Sequence, residues 1–180
     1  MRRLLALSIL ALLLPFSTGA SVADDFSLNI SLTRGERSRD SHSQTTRITL
    51  KGRELVYEKS YSGFRGGARS QPVRKSFRIS DEEVEGLKKI VRDNDLLTSD
   101  RLEVSSEAGG IRRYFELALN INLNGKKSSI EINGSRTAVE IKEKPAYRKA
   151  YALLDAVYKI LSAQDKEIGY ENRDLVIDKQ

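Results

Sequence analysis

Along YFELALNINLNGKKSSIEING, residues 114–134, apolar side chains occupy every second position: Phe115, Leu117, Leu119, Ile121 and Leu123. In a strand that spacing puts all five on one face. Asn124-Gly125 follows, a pair suited to a type I′ turn because both central residues must hold φ > 0. A turn there sets Ile121 opposite Ser128, Leu119 opposite Ile130 and Leu117 opposite Ile132. The returning strand then repeats the apolar face, so the stretch predicts a hairpin with one side that must be covered.

The same period appears upstream. Phe26, Leu28, Ile30 and Leu32 alternate with Ser27, Asn29, Ser31 and Thr33, which predicts a first strand. Residues 34–43 are polar without periodicity and read as a loop that holds His42, the only histidine. Thr46, Ile48 and Leu50 lead to Lys51-Gly52, and Leu55, Tyr57 and Tyr61 continue the parity, giving a second hairpin. Its turn falls at Lys51-Gly52 or at Gly52-Arg53, since both keep the apolar face. Residues 60–72, SYSGFRGGARSQP, read as a tip or crossing loop. Val73, Lys75, Phe77 and Ile79 then mark a fourth strand.

The period changes at Ser80. Ser80 with Glu83 has capping-box spacing, and Val84, Leu87, Ile90 and Val91 form a helical stripe that ends near Asn94. Residues 98–110 read as a long polar connection. Beyond the central hairpin, Val139 and Ile141 predict a short edge strand. Pro145 suits a helix first turn, and Tyr147, Tyr151, Leu154, Tyr158 and Leu161 extend an apolar face through a last helix. The end of the chain is read either as a polar tail or as a short strand at Leu175–Ile177. Antiparallel strands punctuated by single helices predict an α+β fold: an antiparallel sheet of about six strands with two helices packed on one face. The two blocks share no aligned side chains beyond strand-turn-strand-helix, so common architecture explains them better than duplication.

Composition adds a compartment. Arg2 and Arg3 precede an apolar run from Leu4 to Leu14, then Pro15 and small residues ending at Ala23. This is the layout of a signal peptide, and the run is shorter than the roughly 20 residues that span a bilayer. Residues 1–23 are therefore expected to be removed, with Ala20 as an earlier site. Residues 24–164 are read as one α+β domain and 165–180 as a polar C-terminal tail. No cysteine is present, so packing alone must hold an exported domain, which suits a secreted or periplasmic bacterial protein. No membrane span is expected after cleavage.

The leader carries two of the 31 basic residues; 29 then face 25 acids, a mature charge of +4. Acids and bases are interspersed along most of the chain, which speaks against a specific nucleic-acid binder even at a pI of about 9.5. A single histidine in an irregular loop does not build a Ser-His-acid triad, and the acids lack calcium-loop spacing. No catalytic, metal or cofactor residue is assigned. One stretch concentrates charge: Arg65, Arg69, Arg74 and Lys75, with Phe64 and Tyr61 beside them, in a glycine-bearing loop without an acid from Ser60 to Ser80. Arginine interleaved with aromatic rings binds anionic groups by bidentate contact and stacking. Phe64, Arg65, Arg69, Arg74 and Lys75 are the candidate binding residues, for a protein or an anionic envelope polymer; a solvated loop tip is the plain alternative.

SDEEVEGLKKIVRDNDLL, FELALNINLNGKKSSIEI and AYRKAYALLDAVYKIL together give a layout that resembles small bacterial domains of the emfourin type, some of which inhibit thermolysin-like metalloproteases. The resemblance covers about Phe26 to Ser162, in architecture and without a diagnostic motif; the long second hairpin and the signal peptide depart from it. It implies a protein inhibitor of a secreted protease, and no inhibitory residue is carried over. The expected function is an exported, non-catalytic binding domain. The alternative from another class is an envelope hydrolase that works with paired carboxylates alone.

Overall fold

The structure is a computed structural model that describes residues 25–37, 41–63, 71–104, 112–136 and 139–168. Its elements are β1 (Phe26–Arg37), β2 (His42–Lys51), β3 (Glu54–Ser62), β4 (Val73–Arg78), α1 (Asp81–Asp93), β5 (Asp100–Val104), β6 (Arg112–Leu123), β7 (Lys126–Ser135), a 3-10 turn at Val139–Glu143, and α2 (Pro145–Gln164). They form a mixed α+β domain around a seven-stranded sheet in the order β4-β3-β2-β1-β6-β7-β5. All neighbours are antiparallel except β5 and β7, which are parallel.

The central hairpin has the expected register: Ile121 opposes Ser128, Leu119 opposes Ile130 and Leu117 opposes Ile132. Its turn is of the primed kind, with Asn124 at φ 52° and Gly125 at φ 78°. The open question at the second hairpin resolves to a Gly52-Arg53 turn, because Lys51 pairs with Glu54. One parity of every long strand is buried, from Phe26 to Leu32 on β1 and from Phe115 to Leu123 on β6, and it shares a single core with Val84, Leu87 and Val91 of α1 and with Tyr147, Leu154, Tyr158 and Leu161 of α2. The other parity is mostly polar, with Val56 and Ala118 among its half-buried members. Ser80 caps α1 as a complete capping box: its Oγ accepts from the Glu83 N–H at 3.1 Å and the Glu83 carboxylate accepts from the Ser80 N–H at 2.7 Å.

Five expectations change. Seven strands form, where about six were expected, because residues 98–110 contain β5. Only Leu102 alternates in from the described side chains there, as befits an edge strand, and the partner β7 lies so far along the chain that no turn signal announces it. Residues 34–43 do not form a loop throughout: β1 runs to Arg37, paired with β6 as far as Arg112, and β2 starts at His42. Polar residues suffice there because cross-strand pairs such as Glu36 and Arg113, 2.8 Å apart, satisfy one another. The loop expected from residue 60 starts later, since β3 continues through Tyr61 to Ser62. Val139–Glu143 is a 3-10 turn and not an edge strand; β5 and β6 already occupy both sides of β7, and the buried Ile141 instead sits over Gly134, where an added Cβ would lie 3.0 Å from its Cδ1. Finally, the polar tail does not leave the fold at 164: Asp165 closes α2, and Ile168 is buried with its carbonyl held by Ser162 Oγ at 3.0 Å. Leu175–Ile177 lies outside the described residues.

The order of strands explains α1. β4 is one edge and β5 the other, so the chain must cross the whole sheet between them. Six gaps of about 4.8 Å make a width of roughly 29 Å. The 13 residues of α1 supply roughly 20 Å of that, and Asn94–Ser99 the remainder. Leu96, fully buried, and its carbonyl, which accepts from Ser128 Oγ at 2.6 Å, anchor that last stretch on β7.

Candidate functional site

Register decides where charge collects. β1, β6 and β7 end together at the side of the sheet away from the Asn124-Gly125 turn, and there Arg37 lies directly opposite Arg112, Glu36 opposite Arg113, and Tyr114 opposite Ser135, with Arg136 next in the chain. Arg37 turns to the open face and stacks on Tyr114, its guanidinium carbon 4.9 Å from the ring centre. The ring can lie down because its cross-strand neighbour is Gly35, where an added Cβ would stand 2.8 Å from the Tyr114 ring and 2.6 Å from the His42 carbonyl. Arg113 reaches Glu36 at 2.8 Å, and Arg37 lies 3.9 Å from Glu116. The His42 imidazole is 3.9 Å from the same Glu36.

Four arginines thus stand at this end of three adjacent strands with two carboxylates, divided between the faces: Arg37 and Glu116 on the open one, Arg113 and Glu36 on the covered parity. Both documented pairs are solvent-exposed, with Arg37 at 68% and Arg113 at 50% side-chain exposure, so neither is withdrawn from a ligand by burial. Exposed pairs of this kind hold by about 0–1 kcal/mol and exchange partners readily.

The expected binding residues divide. Phe64, Arg65 and Arg69 lie outside the described residues; the chain leaves β3 at Gly63 beside Ser41 and returns to β4 from Gln71 at the same end of the sheet as Arg37. Arg74 and Lys75 are successive strand residues and therefore face opposite sides. Arg74 is on the open face, 3.4 Å from Glu58. Lys75 is on the covered side, where its Nζ meets Asp165 Oδ2 at 2.6 Å and Glu167 Oε2 at 2.8 Å. Those hydrogen bonds push the Lys75 ammonium up to about 12 and, with the Glu167 N–H donating to the same carboxylate, hold Asp165 below its usual range. Lys75 is a clasp between β4 and the end of α2 and does not converge with Arg74. Arg37, Arg113 and Arg136 were not singled out in the sequence, since 75 residues separate Arg37 from Arg112; only the β1–β6 pairing unites them.

Asp165 and Glu167 are also the place where two carboxylates meet. A glycosidase needs one carboxyl that keeps its proton near neutral pH. Here both share one ammonium and Asp165 is displaced the other way, so the pair acts as a counter-ion. Among the described residues no group of His, Asp and Glu could hold a metal ion. At the opposite end of the open face lies a shallow groove of about 1170 Å³, lined by short polar side chains such as Ser27, Asn29, Thr49 and Asn120 together with the charged Asp25, Lys51, Glu54 and Lys127. Asn122 donates to Asp25 there at 3.0 Å. No helix among the described residues is long and apolar enough to cross a membrane.

No model of a known protein family matches the chain, and no curated protein sequence matches it.

Proposed function

We propose that this chain is an exported, non-catalytic binding domain that holds an anion-bearing partner, a protein or an envelope polymer, at the arginine-bearing end of its sheet. The observation that carries the reading is the gathering of Arg37, Arg112, Arg113 and Arg136 at the adjoining ends of β1, β6 and β7, with Arg37 on the open face and Arg113 on the covered parity, so that the end of the sheet is the basic surface, beside the attachment of the loop with Arg65 and Arg69. Guanidinium forks bind carboxylate, sulfate and phosphate bidentately, and a Tyr114 ring under Arg37 holds one fork flat. Export rests on the Arg2-Arg3 start, the apolar run from Leu4 and the small residues to Ala23. The narrower form of the proposal, inhibition of a secreted metalloprotease, rests on the emfourin-like layout and would show as loss of thermolysin activity on addition of the mature chain.

Exposed charges act over about 8–10 Å at physiological salt, so retention on heparin should fall steeply as salt rises. Arg37→Ser with Arg113→Ser, and separately Arg65→Ser with Arg69→Ser, should each elute at clearly lower salt than the parent while melting within about 2 °C of it. Elution of both double variants at the parent's salt would end the proposal.

A further inference from the structure

The helices cover one face of the sheet and leave the other open, and the charges on the open face fit a copy of themselves. We propose that two copies of this chain pack open face to open face, about a two-fold axis that runs along the strands between β1 and β6.

Register defines the pattern. Across the middle of the open face the paired residues run, from edge to edge, Arg74, Glu58, Arg47, Ser31, Ala118, Glu131 and Arg101. Arg74 and Glu58 hold one another at 3.4 Å. Arg47, Glu131 and Arg101 are exposed and make no ion pair among the described residues.

A half-turn about the β1–β6 seam lays this row back on itself. β1 then faces the second copy's β6, β2 its β7, and β3 its β5. Ser31 meets Ala118, Arg47 meets Glu131 and Glu58 meets Arg101, and each contact is made twice, as a two-fold interface requires. Charge fixes where the axis lies. Moved onto β1, it would set Glu58 against Glu131 and Arg74 against Arg101; moved onto β6, it would set Arg47 against Arg101, and like charges face to face are costly.

The neighbouring rows agree. On one side Thr45 meets Asn133 and Thr33 meets Glu116; on the other Thr49 meets Ser129 and Asn29 meets Asn120. The last four line the groove of about 1170 Å³, so its amides and hydroxyls can exchange hydrogen bonds between copies. Like charges meet only in the outermost rows, Lys51 with Lys127 and Arg37 with Arg112, at the margin of the contact.

Shape and area fit as well. A sheet of uniform twist keeps its saddle form under a half-turn about its own strand direction, so two such faces nest at the usual separation of about 10 Å. The face is roughly 29 Å wide, and β1, β2 and β6 run for roughly 30 Å, which offers on the order of the 800 Å² per partner of a standard interface. The arginine-bearing end of the sheet stays at the rim, and neither reading needs the other.

In sedimentation velocity the mature chain should pass from monomer to twice that mass as its concentration rises to about 100 µM. Arg47→Glu and Glu131→Arg should each weaken dimerisation at least about tenfold, and both in one chain should recover it to within about threefold, because each new acid then faces a new base across the axis. Rescue cannot arise inside one chain, since β2 and β7 stand three strands apart, roughly 14 Å. The chain has no cysteine, so Ser31→Cys mixed with Ala118→Cys should give a disulfide-linked heterodimer under mild oxidation. A monomer's mass at every concentration, a double variant as weak as the single ones, or a mixture that stays uncrosslinked would overturn the proposal.

Discussion

Tyr158 shows how one side chain couples the core to pH. It is fully buried on α2, and its hydroxyl and that of Thr46, close enough to act on one another, make no well-formed hydrogen bond among the described residues. Burial pushes its phenol up to about 12, with the nearby Arg34 guanidinium offsetting part of the push. The unfolded phenol titrates near 10, so the neutral form favoured by the fold contributes fully below that pH and its contribution is lost between about pH 10 and 12. Tyr158→Phe should leave the melting temperature at pH 7 unchanged or slightly raised, because it removes a desolvated hydroxyl and only a weak interaction with the Thr46 hydroxyl. The same variant should flatten the alkaline decline, a difference on the order of 2 kcal/mol by pH 12 in urea titrations. A parallel decline in both proteins would place the alkaline sensitivity in Tyr57, whose phenol burial also raises.

Elements differ in how openly the sequence announces them, and the reasons are physical. The β6–β7 hairpin was legible to the residue because a one-position slip would turn five apolar side chains to solvent and because Asn124-Gly125 permits few turns. α1 was legible from Ser80 and Glu83. β5 was hidden, since an edge strand with one covered face needs little hydrophobicity and its parallel pairing leaves no local mark. The 3-10 turn at 139–143 was misread because two alternating apolar residues fit either structure. The hairpin carries a mechanical test: Leu119→Ala and Ile130→Ala, cross-strand partners that are both buried, should each cost about 2–5 kcal/mol. Because they touch one another, the double variant should lose less than the sum in a chemical-denaturation cycle.

On the scale of the whole molecule, the arginine-bearing end was illegible for a different reason: its members come from β1, β6 and the residue after β7, and only the sheet order makes them neighbours. The basic loop, contiguous in sequence, was visible, yet its last two candidates proved to face opposite sides of β4. The Lys75 clasp ties distant parts of the chain in the same way, and it predicts acid sensitivity. With Asp165 held below its usual range by Lys75, the stabilisation is present above the unfolded carboxylate pKa and is lost as pH falls through the folded value. Lys75→Met should lower the melting temperature at pH 7 and shrink its further drop below about pH 4 in scanning calorimetry.

The central place of β1 carries a consequence for the order of assembly. Its partner on one side, β2, follows almost at once, whereas β6 begins at residue 112. A chain emerging from its N-terminus can therefore complete the β1–β4 meander while the other margin of β1 stays open, bearing Leu28, Ile30 and Leu32 without a neighbour. Pairings that wait on distant chain are slow, and open apolar strands are where early association between chains begins. The interval between residue 37 and residue 112 is thus a window of vulnerability written into the strand order, and the arrival of β6 closes it.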